Sequence, residues 1–442
     1  MKPLQIDAQG SWRRTHYSTE IRPEMDKQEV TVFGWVEEIR DLGGIRFIIL
    51  RDKRGIVQVT IPRNIANDAV VAKADAIQKQ YVIGVQGVVK KMEKAPHNAE
   101  IIPKEIKILN TVQHPLSLDP TGRTPADIDV RLNSRILDLR RPECRAIFQI
   151  QHIVNREIRK FLSNLGFLEV QTPKIILSAT EGGAALFPIA YFEREAFLAQ
   201  SPQLYKEGLV SDFEKVYEIA PFFRAEESHT TRHISEFISV DIEEAFVDAK
   251  DVMRLLEEML LHVFRIVKNE CKDELKTLNH HLPDLKLPIP KYTYDQIVNE
   301  LKERGVKIPW GEDIPTPAFR TLGEIHPNFY FITDWPTKSK PFYIKPCNNA
   351  PKLCEAFDLM YSWIEVASGG TRIHDKKTIM KRLRKQGLDP KLFEYHLKTF
   401  DYGMPPHAGW GLGLARLLMV ITGKENIREV VLFPRDRFRL TP

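Results

Sequence analysis

Short runs of apolar and β-branched residues fill the first quarter of the chain and predict strands. A tight turn at residues 52–55 joins two of these runs, and residues 66–79 have the pattern of a short helix. The predicted strands are residues 30–36, 46–51, 56–60, 81–89 and 99–102. Five short strands with one helix after the third are typical of an OB-fold barrel, which often binds single-stranded nucleic acid, although other small β-barrels share the pattern. We assign residues 1–110 to this domain.

After residue 110 the pattern changes twice. Residues 111–142 are rich in Pro, Asp and Thr and show no period, which predicts a linker or hinge. Apolar positions then recur at helical spacing from Glu143 toward Leu165, and again from Asp251 to about Cys271. The rest of residues 143–442 mixes strands and helices without a βαβ rhythm, which favours an antiparallel sheet flanked by helices. The predicted fold class is therefore α+β, with a barrel domain followed by a larger mixed domain.

Composition narrows the class of protein only slightly. The 442 residues include 64 Lys and Arg against 59 Asp and Glu, and this net charge of +5 permits a nucleic-acid partner without requiring one. Four cysteines are too few for a disulfide framework, and Cys347 and Cys354 lack the second ligand pair of a zinc site. The sequence has no signal peptide and no apolar run of membrane-spanning length. We therefore expect a cytoplasmic protein without membrane contact.

Three separated segments carry residues suited to one ATP site. Joining a carboxylate to the α-phosphate of ATP needs fixed cations and a flat pocket for the purine. Arg224 and Arg416 are candidate cations, Phe237 could stack on the purine, and Glu226 could accept from its amino group. The three segments are residues 166–174, residues 223–237 and residues 409–416. Each alone is more often structural, and the chain has neither a P-loop nor a dinucleotide-binding fingerprint.

The order and chemistry of these three segments together resemble the signature motifs of the class II aminoacyl-tRNA synthetases. The resemblance implies activation of an amino acid by ATP, followed by transfer of the acyl group to tRNA. It also implies catalytic roles for Arg224, Arg416 and Lys206. The ATP-binding residues that it implies are Arg224, Glu226, Arg232, His233, Phe237, Glu365, Gly411, Gly413 and Arg416.

Three further segments make the chain similar to the aspartyl-tRNA synthetases of the archaeal type over nearly its whole length. These segments are residues 200–206, 365–374 and 433–437. The resemblance implies that Lys206 and Arg372 grip the side-chain carboxylate of the substrate, which agrees with the chemistry of two cations around one anion. The aspartate-binding residues that it implies are Glu181, Ser201, Gln203, Lys206, Asp241, Ser368 and Arg372, with Ser201, Gln203 and Asp241 holding the α-amino group and Glu181 on a closing loop. Asparagine is a poor runner-up, because asparaginyl enzymes lack the residue 201–206 pattern.

The resemblance further implies a metal ion, a tRNA and a second subunit. Asp358, Glu365 and Ser368 match positions that hold Mg²⁺ beside the phosphates. In the barrel, Arg40, Phe47 and Gln58 fall where the family reads the anticodon of tRNA(Asp). Glu37 leaves open whether tRNA(Asn) is charged as well. Residues 166–174 match the motif at the two-fold interface of related enzymes, and we expect a homodimer in which the apolar stripe of the preceding helix is buried.

Two short segments depart from the usual family pattern, and two other functions are compatible with part of the sequence. Residues 345–347 and 362–363 differ from the usual family pattern at positions without an assigned chemical role. An asparagine synthetase paralogue would use the adenylate without tRNA, but such proteins are expected to lack the barrel. A non-catalytic tRNA-binding protein on the same scaffold would be favoured by loss of Lys206, Arg224 or Arg416, all of which are present.

Overall fold

The computed structural model describes residues 5–177, 186–225 and 230–442. The chain forms two compact units, Met1–Ser117 and Leu118–Pro442. In the described part of the chain, no helix combines the length and the apolar character needed to cross a membrane.

Residues 5–117 form a closed barrel of five strands in the order β1-β2-β3-β5-β4, in which only the β3–β5 pair is parallel. Residues that alternate along each strand, such as Ile48 and Leu50 on β2, fill the interior. The strands are β1 (Glu29–Asp41), β2 (Ile45–Arg51), β3 (Ile56–Pro62), β4 (Val82–Lys91) and β5 (Ala99–Asn110), with α1 (Asp68–Ala76) after β3 and 3₁₀ turns at Ser18–Glu20, Pro23–Met25 and Pro96–Asn98. The predicted five-stranded barrel with one helix is confirmed.

The second unit is built on a sheet of nine strands within its described residues, and this sheet is antiparallel except at its two ends. The strand order is β12-β13-β15-β16-β17-β11-β10-β6, with β14 beside β15, and a separate small sheet has the order β7-β9-β8. Its strands are β6 (Leu168–Glu169), β7 (Ile175–Ile176), β8 (Pro188–Tyr191), β9 (Arg194–Leu198), β10 (Lys215–Phe223), β11 (Glu236–Ala245), β12 (Lys291–Thr293), β13 (Phe329–Pro336), β14 (Pro346–Cys347), β15 (Ala350–Tyr361), β16 (Ile364–Thr371) and β17 (His407–Gly413). The predicted antiparallel sheet is confirmed.

Three helices, α4 (Pro142–Asn164), α6 (Ala249–Glu270) and α12 (Leu414–Thr422), pack against one face of this sheet, while α5 (Gln203–Phe213) packs against part of the other face. The two helices predicted from apolar periodicity are present as α4 and α6, and Asp248 caps α6 by accepting from two backbone N–H groups of its first turn. The indole Nε1 of the fully buried Trp410 on β17 donates to the carbonyl oxygen of Val252 on α6 at 3.1 Å. The helices are α2 (Ile128–Asn133), α3 (Arg135–Asp138), α4 (Pro142–Asn164), α5 (Gln203–Phe213), α6 (Ala249–Glu270), α7 (Lys272–Thr277), α8 (Tyr294–Glu303), α9 (Thr316–Ile325), α10 (Lys376–Lys385), α11 (Glu394–Asp401) and α12 (Leu414–Thr422), with 3₁₀ turns at Pro390–Phe393 and Ile427–Glu429.

The apolar stripe of α4 is buried inside its own unit. Ile150, Val154 and Ile158 are fully buried in the same core as α6 and the central sheet. Our expectation that this stripe is buried against a second subunit is therefore wrong, because the side chains already have partners in the same chain.

Most of the predicted linker lies in the second unit. Residues 118–142 include α2 and α3, and the guanidinium of Arg135 donates to the carbonyl oxygen of Leu432 at 2.7 Å. Asp138 is fully buried and accepts from Arg131 at 2.9 Å and Arg135 at 2.6 Å. Helices of six and four residues are too short to produce a visible apolar period, which is why the sequence predicted only a hinge here.

Candidate active site

A row of polar residues crosses the open face of the central sheet. Asp358 on β15 pairs with Ser368 on β16, which pairs with Gly411 on β17, then Asp241 on β11 and Glu218 on β10. Cross-strand partners point to the same face of a sheet, so these side chains share one surface. At Gly411 an added Cβ would lie 3.0 Å from Oδ1 of Asp241. Because Gly411 has no side chain, the surface formed by this row of residues, the floor of the site, stays open above β17.

A cleft of about 250 Å³ lies over this floor and gathers most of the residues that the sequence singled out. The predicted residues that line it are Ser201, Gln203, Arg224, Arg232, His233, Phe237, Asp241, Glu365, Ser368, Arg372, Gly411, Gly413 and Arg416. Lys206 and Asp358 do not line the cleft, but both are buried and each lies next to a lining residue, Asp241 and Ser368 respectively. Glu181 and Glu226 are outside the described residues.

At one end of the cleft, two predicted cations meet an unpredicted carboxylate. The Nε of Arg372 donates to Glu243 Oε1 at 2.9 Å and its Nη2 reaches Oε2 at 3.3 Å. Lys206 Nζ lies 3.4 Å from the same Oε2 and donates to Asp241 Oδ1 at 3.0 Å. The two cations thus converge on the carboxylate of Glu243, whereas the sequence analysis expected them on the side-chain carboxylate of the substrate.

Glu243 is the residue of this end that sequence reasoning missed. Ser239, Asp241 and Glu243 alternate along β11, so all three point to the cleft side of the sheet. Glu243 is fully buried, and an added Cβ at the facing Gly409 would lie 2.2 Å from its Oε2. The glycine leaves room for this carboxylate, and the carboxylate holds Arg372 in place.

Arg372 keeps donor capacity toward the cleft. Its hydrogen bonds within the described residues use Nε and Nη2, the second of which also donates to Gln203 Oε1 at 3.4 Å. Burial opposes the charged form of Arg372, but the attraction of Glu243 prevails and raises its pKa. The guanidinium lies 5.4 Å from the ring centre of Tyr343. The arrangement presents a permanently charged, oriented fork to a ligand.

A buried acid and two histidines orient Gln203. Its amide nitrogen donates to Glu207 Oε1 at 2.6 Å, which turns the amide oxygen toward Arg372. Glu207 is fully buried, with Nε2 of His396 at 3.3 Å and Nε2 of His407 at 3.8 Å. Burial opposes ionisation of Glu207, but the two imidazoles prevail and hold its pKa below the ordinary value. Gln203 is therefore oriented from behind by groups outside the cleft lining.

At the other end of the cleft, three arginines and an aromatic ring form a cationic wall. The guanidinium carbon of Arg224 lies 5.4 Å from the ring centre of Phe237. Arg416 Nη1 donates to the carbonyl oxygen of Glu365 at 3.0 Å and lies 3.6 Å from its carboxylate. Burial lowers the pKa of Arg232, and repulsion from Arg416 adds to this effect. A wall of this kind suits a polyphosphate with an attached purine.

Trp363, one of the residues that depart from the family pattern, contacts the cationic wall through Arg232. Its carbonyl oxygen accepts from Arg232 Nη1 at 2.8 Å, and the Arg232 guanidinium lies 4.9 Å from its indole ring centre. Trp363 therefore contacts a residue to which the sequence assigned a role in binding ATP.

Asp358, Glu365 and Ser368 form an oxygen-rich corner that fits a hard cation. Asp358 is buried, and its Oδ1 has no hydrogen-bond partner in the described residues. Burial raises the pKa of Asp358 to about 6, with Glu365 adding to the rise and Lys340 opposing it. No group of three or more Asp, Glu, His or Cys side chains with metal-binding geometry occurs in the described part of the chain. Two carboxylates and a hydroxyl instead suit Mg²⁺ that completes its shell with phosphate oxygens and water.

Comparison with known proteins identifies the family. The family model of class II tRNA synthetases (D, K and N) matches residues 127–437, and the OB-fold nucleic acid binding domain matches residues 30–109. The chain belongs to the class II tRNA synthetases. It is 52% identical over 428 residues to the aspartate–tRNA(Asp/Asn) ligase of Methanopyrus kandleri, covering 96% of this chain and 99% of that protein. It is 50% identical over 431 residues to the enzyme of the same name from Saccharolobus solfataricus, with 97% and 100% coverage.

Two solved structures of tRNA synthetases share the fold of this chain over nearly its whole length. An asparaginyl-tRNA synthetase from Pyrococcus horikoshii, complexed with asparaginyl-adenylate, matches with a TM-score of 0.93, 32% identity and coverage of 97% of this chain and 100% of that one. An aspartyl-tRNA synthetase from Entamoeba histolytica matches with a TM-score of 0.84, 30% identity and coverage of 97% and 92%.

In the barrel of this synthetase, the predicted anticodon residues share the outer face. Phe47 pairs with Arg40 on β1 and with Thr60 on β3, while its neighbours Ile48 and Leu50 point into the core. Phe47 is half-buried and therefore presents part of its ring on the surface. The amide nitrogen of Gln58 donates to Glu100 at 3.0 Å and to Thr60 at 3.3 Å. A surface ring beside an oriented amide suits an unstacked base.

Proposed function

We propose that the chain is an aspartate–tRNA ligase. It activates aspartate with ATP and transfers the aspartyl group to the 3′ end of tRNA(Asp) in the cytoplasm. The observation that carries the proposal is a single cleft with a buried, oriented arginine fork at Arg372 and the cationic wall of Arg224, Arg232 and Arg416 at its other end. The fork suits a side-chain carboxylate, and the wall suits the triphosphate.

The reaction follows from this arrangement in two steps. The α-carboxylate of aspartate attacks the α-phosphorus of ATP, a new P–O bond forms, and pyrophosphate leaves with the electrons of the broken bond. Arg224 and Arg416 would hold the developing negative charge on the phosphate oxygens. The 3′-terminal ribose hydroxyl of the tRNA then attacks the acyl carbon, and AMP leaves. Asp241, with Ser239 beside it, would face the α-ammonium group of the substrate.

Asp358, Glu365 and Ser368 would hold Mg²⁺ when the nucleotide binds. The ion supplies charge neutralisation to the phosphates. Glu365 is already fixed by Arg416, so the acid and the arginine face the phosphates from adjacent positions.

Asparagine is the main alternative to aspartate as the substrate of this site. An asparaginyl enzyme has the higher TM-score of the two structures compared above, but its identity to this chain is 32%, against 52% for an aspartate ligase. In the site, Arg372 supplies only donors, and an amide NH₂ facing them would place donors against donors. The Arg372 fork therefore favours a carboxylate.

We further propose that tRNA(Asn) is charged along with tRNA(Asp), since the similar archaeal enzymes carry both in their names. Glu37, the residue that left the charging of tRNA(Asn) open in the sequence, lies 3.2 Å from Arg51 Nε. The test is aminoacylation with labelled aspartate and purified tRNA(Asp) and tRNA(Asn). Charging of tRNA(Asp) alone would limit the function to one tRNA, and charging of neither would contradict the proposal.

The anticodon role of Phe47 makes a prediction that separates the two half-reactions. Phe47→Ala should weaken tRNA charging, because stacking of one base contributes about 1–3 kcal/mol. Aspartate-dependent ATP–pyrophosphate exchange without tRNA should stay unchanged. The control is Ile65→Ala, which removes an exposed apolar side chain from the same unit. Equal losses in both half-reactions for Phe47→Ala would mean that the ring supports the fold rather than a base.

We propose that the protein is a homodimer through the segment around β6. Leu165 and Leu168 are 43% and 47% exposed, and β6 is the last strand of the central sheet. Leu168→Glu should therefore shift the sedimentation coefficient toward that of a monomer at micromolar concentration, whereas Leu261→Glu, at a 42% exposed leucine on α6, should not. A monomeric wild-type protein under the same conditions would contradict the proposal.

A further inference from the structure

Lys340 is a largely buried cation of the cleft to which the sequence analysis assigned no role. Its Nζ donates to Asp358 Oδ2 at 2.6 Å and lies 3.9 Å from the centre of the Trp335 indole ring. The side chain is 13% exposed and contributes to the cleft lining. Its ammonium group therefore contacts Asp358, one of the residues that we propose as ligands of Mg²⁺.

The backbone of Lys340 is held by hydrogen bonds, while its side chain lines the cleft. The carbonyl oxygen of Lys340 accepts from Gln386 at 2.9 Å and from Arg382 at 3.1 Å, and that of Pro341 accepts from Arg382 at 3.2 Å. These donors tie the segment to α10 and to Gln386, the residue directly after it. A lysine stem of four carbons can change rotamer above such a fixed backbone and move its point charge by several ångströms.

The carboxylate of Asp358 can bind either the ammonium of Lys340 or a divalent ion, but not both together. Asp358 offers Oδ2 to Lys340, while its Oδ1 has no partner in the described residues. A divalent ion on the same carboxylate would place two positive charges within a few ångströms of each other in a buried setting, where repulsion is strong. Removing the lysine without a replacement would leave the buried Asp358 without its paired cation, whereas Glu365 would keep Arg416 at 3.6 Å.

We propose that Lys340 is the resident counter-ion of the metal carboxylate. Without nucleotide it neutralises Asp358 and opposes metal binding. When Mg²⁺ arrives with ATP, the ion replaces the ammonium on Asp358, and Lys340 turns toward the polyphosphate in the cleft. Metal and nucleotide binding are thereby coupled. This inference rests on the proposed adenylation site and adds to it a residue that makes the metal enter with its nucleotide.

The test measures metal binding without nucleotide and so does not depend on activity. Mn²⁺, which like Mg²⁺ accepts carboxylate ligands, is titrated into the full-length protein, and free Mn²⁺ is followed by electron paramagnetic resonance. Lys340→Met should tighten Mn²⁺ binding by roughly tenfold or more, because a competing like charge is removed. Lys340→Arg keeps the charge and should bind as wild type does. Asp358→Asn, added to Lys340→Met, should abolish the gain.

A matched control and a second variant keep the outcome decisive. Lys345, which pairs with Glu355 at 3.0 Å outside the cleft lining, serves as control through Lys345→Met and should leave the Mn²⁺ affinity unchanged. Lys340→Gln retains a donor for Asp358 without the charge, and should tighten binding even if the Met variant folds poorly. Wild-type affinity in folded Lys340→Gln, or an equal gain in Lys345→Met, would overturn the inference. Aspartate-dependent exchange by the wild type, measured separately, tests the proposed function itself.

Discussion

Arg372→Leu should abolish aspartate activation while leaving ATP binding largely unchanged. The variant loses the donors that face the substrate carboxylate, and sites built for a charged or hydrogen-bonding group discriminate by about 10⁴-fold or more. Arg372→Lys should also fail substantially, because an ammonium lacks the planar fork that engages Glu243 and the substrate together. The measurement is kcat/KM for ATP–pyrophosphate exchange with aspartate, beside nucleotide binding by equilibrium dialysis.

The structure adds a control that this experiment needs. Removing Arg372 alone leaves the buried Glu243 with Lys206 as its remaining cation, and breaking a buried pair destabilises a protein by about 3–5 kcal/mol. The double variant Arg372→Met with Glu243→Gln removes both charges of the pair. It should regain thermal stability without regaining aspartate activation. Recovery of activity in the double variant would mean that Arg372 acts only on the fold, and full activity in Arg372→Leu would refute the carboxylate role.

Arg224→Ala should reduce the rate of aspartate-dependent exchange by about 10²–10³-fold, since one fixed donor to developing charge is worth roughly 3–4 kcal/mol. The guanidinium lies beside Phe237 in the cleft lining, where it would meet the α-phosphate. We expect the loss mainly in kcat, because the donor acts most strongly on the charge of the transition state.

The control for Arg224→Ala is an arginine of the same unit outside the cleft. Arg254 is exposed on α6 and does not line the cleft, so Arg254→Ala should exchange at the wild-type rate. Near-normal exchange in Arg224→Ala would remove this residue from the reaction. A loss confined to the KM for ATP would restrict it to ground-state binding.

The fold was predictable where local patterns are strong. Alternating apolar residues predicted the barrel strands. Apolar residues at helical spacing predicted α4 and α6 within a few residues of their observed bounds. The order of strands in the large sheet was not predictable, because pairs such as β6 with β10 join segments far apart in the chain. The short helices α2 and α3 carry too few residues to show a period.

The candidate site was predictable as a set of residues but not as a network. Glu243 had a signal, since Ser239, Asp241 and Glu243 alternate along one strand and must share a face. Lys340 had none, because it lies in an irregular segment after β13 and meets Asp358 only through the tertiary fold. The same holds for Glu207, whose histidine partners come from α11 and β17.

The position of Lys206 changes how selectivity for aspartate is explained. Its ammonium is fully buried behind Asp241 and donates to two backbone carbonyl oxygens as well, at 3.2 Å each. Lys206 with Asp241, and Arg372 with Glu243, form two paired charges along β11. Within the described structure, the fork of Arg372 lines the cleft directly, and Lys206 sets the charge and position of the acids around it.

The most direct test of the central claim compares two amino acids with the unmodified enzyme. Purified wild-type protein, ATP and labelled pyrophosphate are assayed without tRNA, and kcat/KM is measured for aspartate and for asparagine. We predict efficient exchange with aspartate and a preference over asparagine of roughly 10⁴-fold or more, as expected for a site that presents a charged fork to its substrate. Exchange with asparagine as efficient as with aspartate would contradict the assignment of this cleft to aspartate.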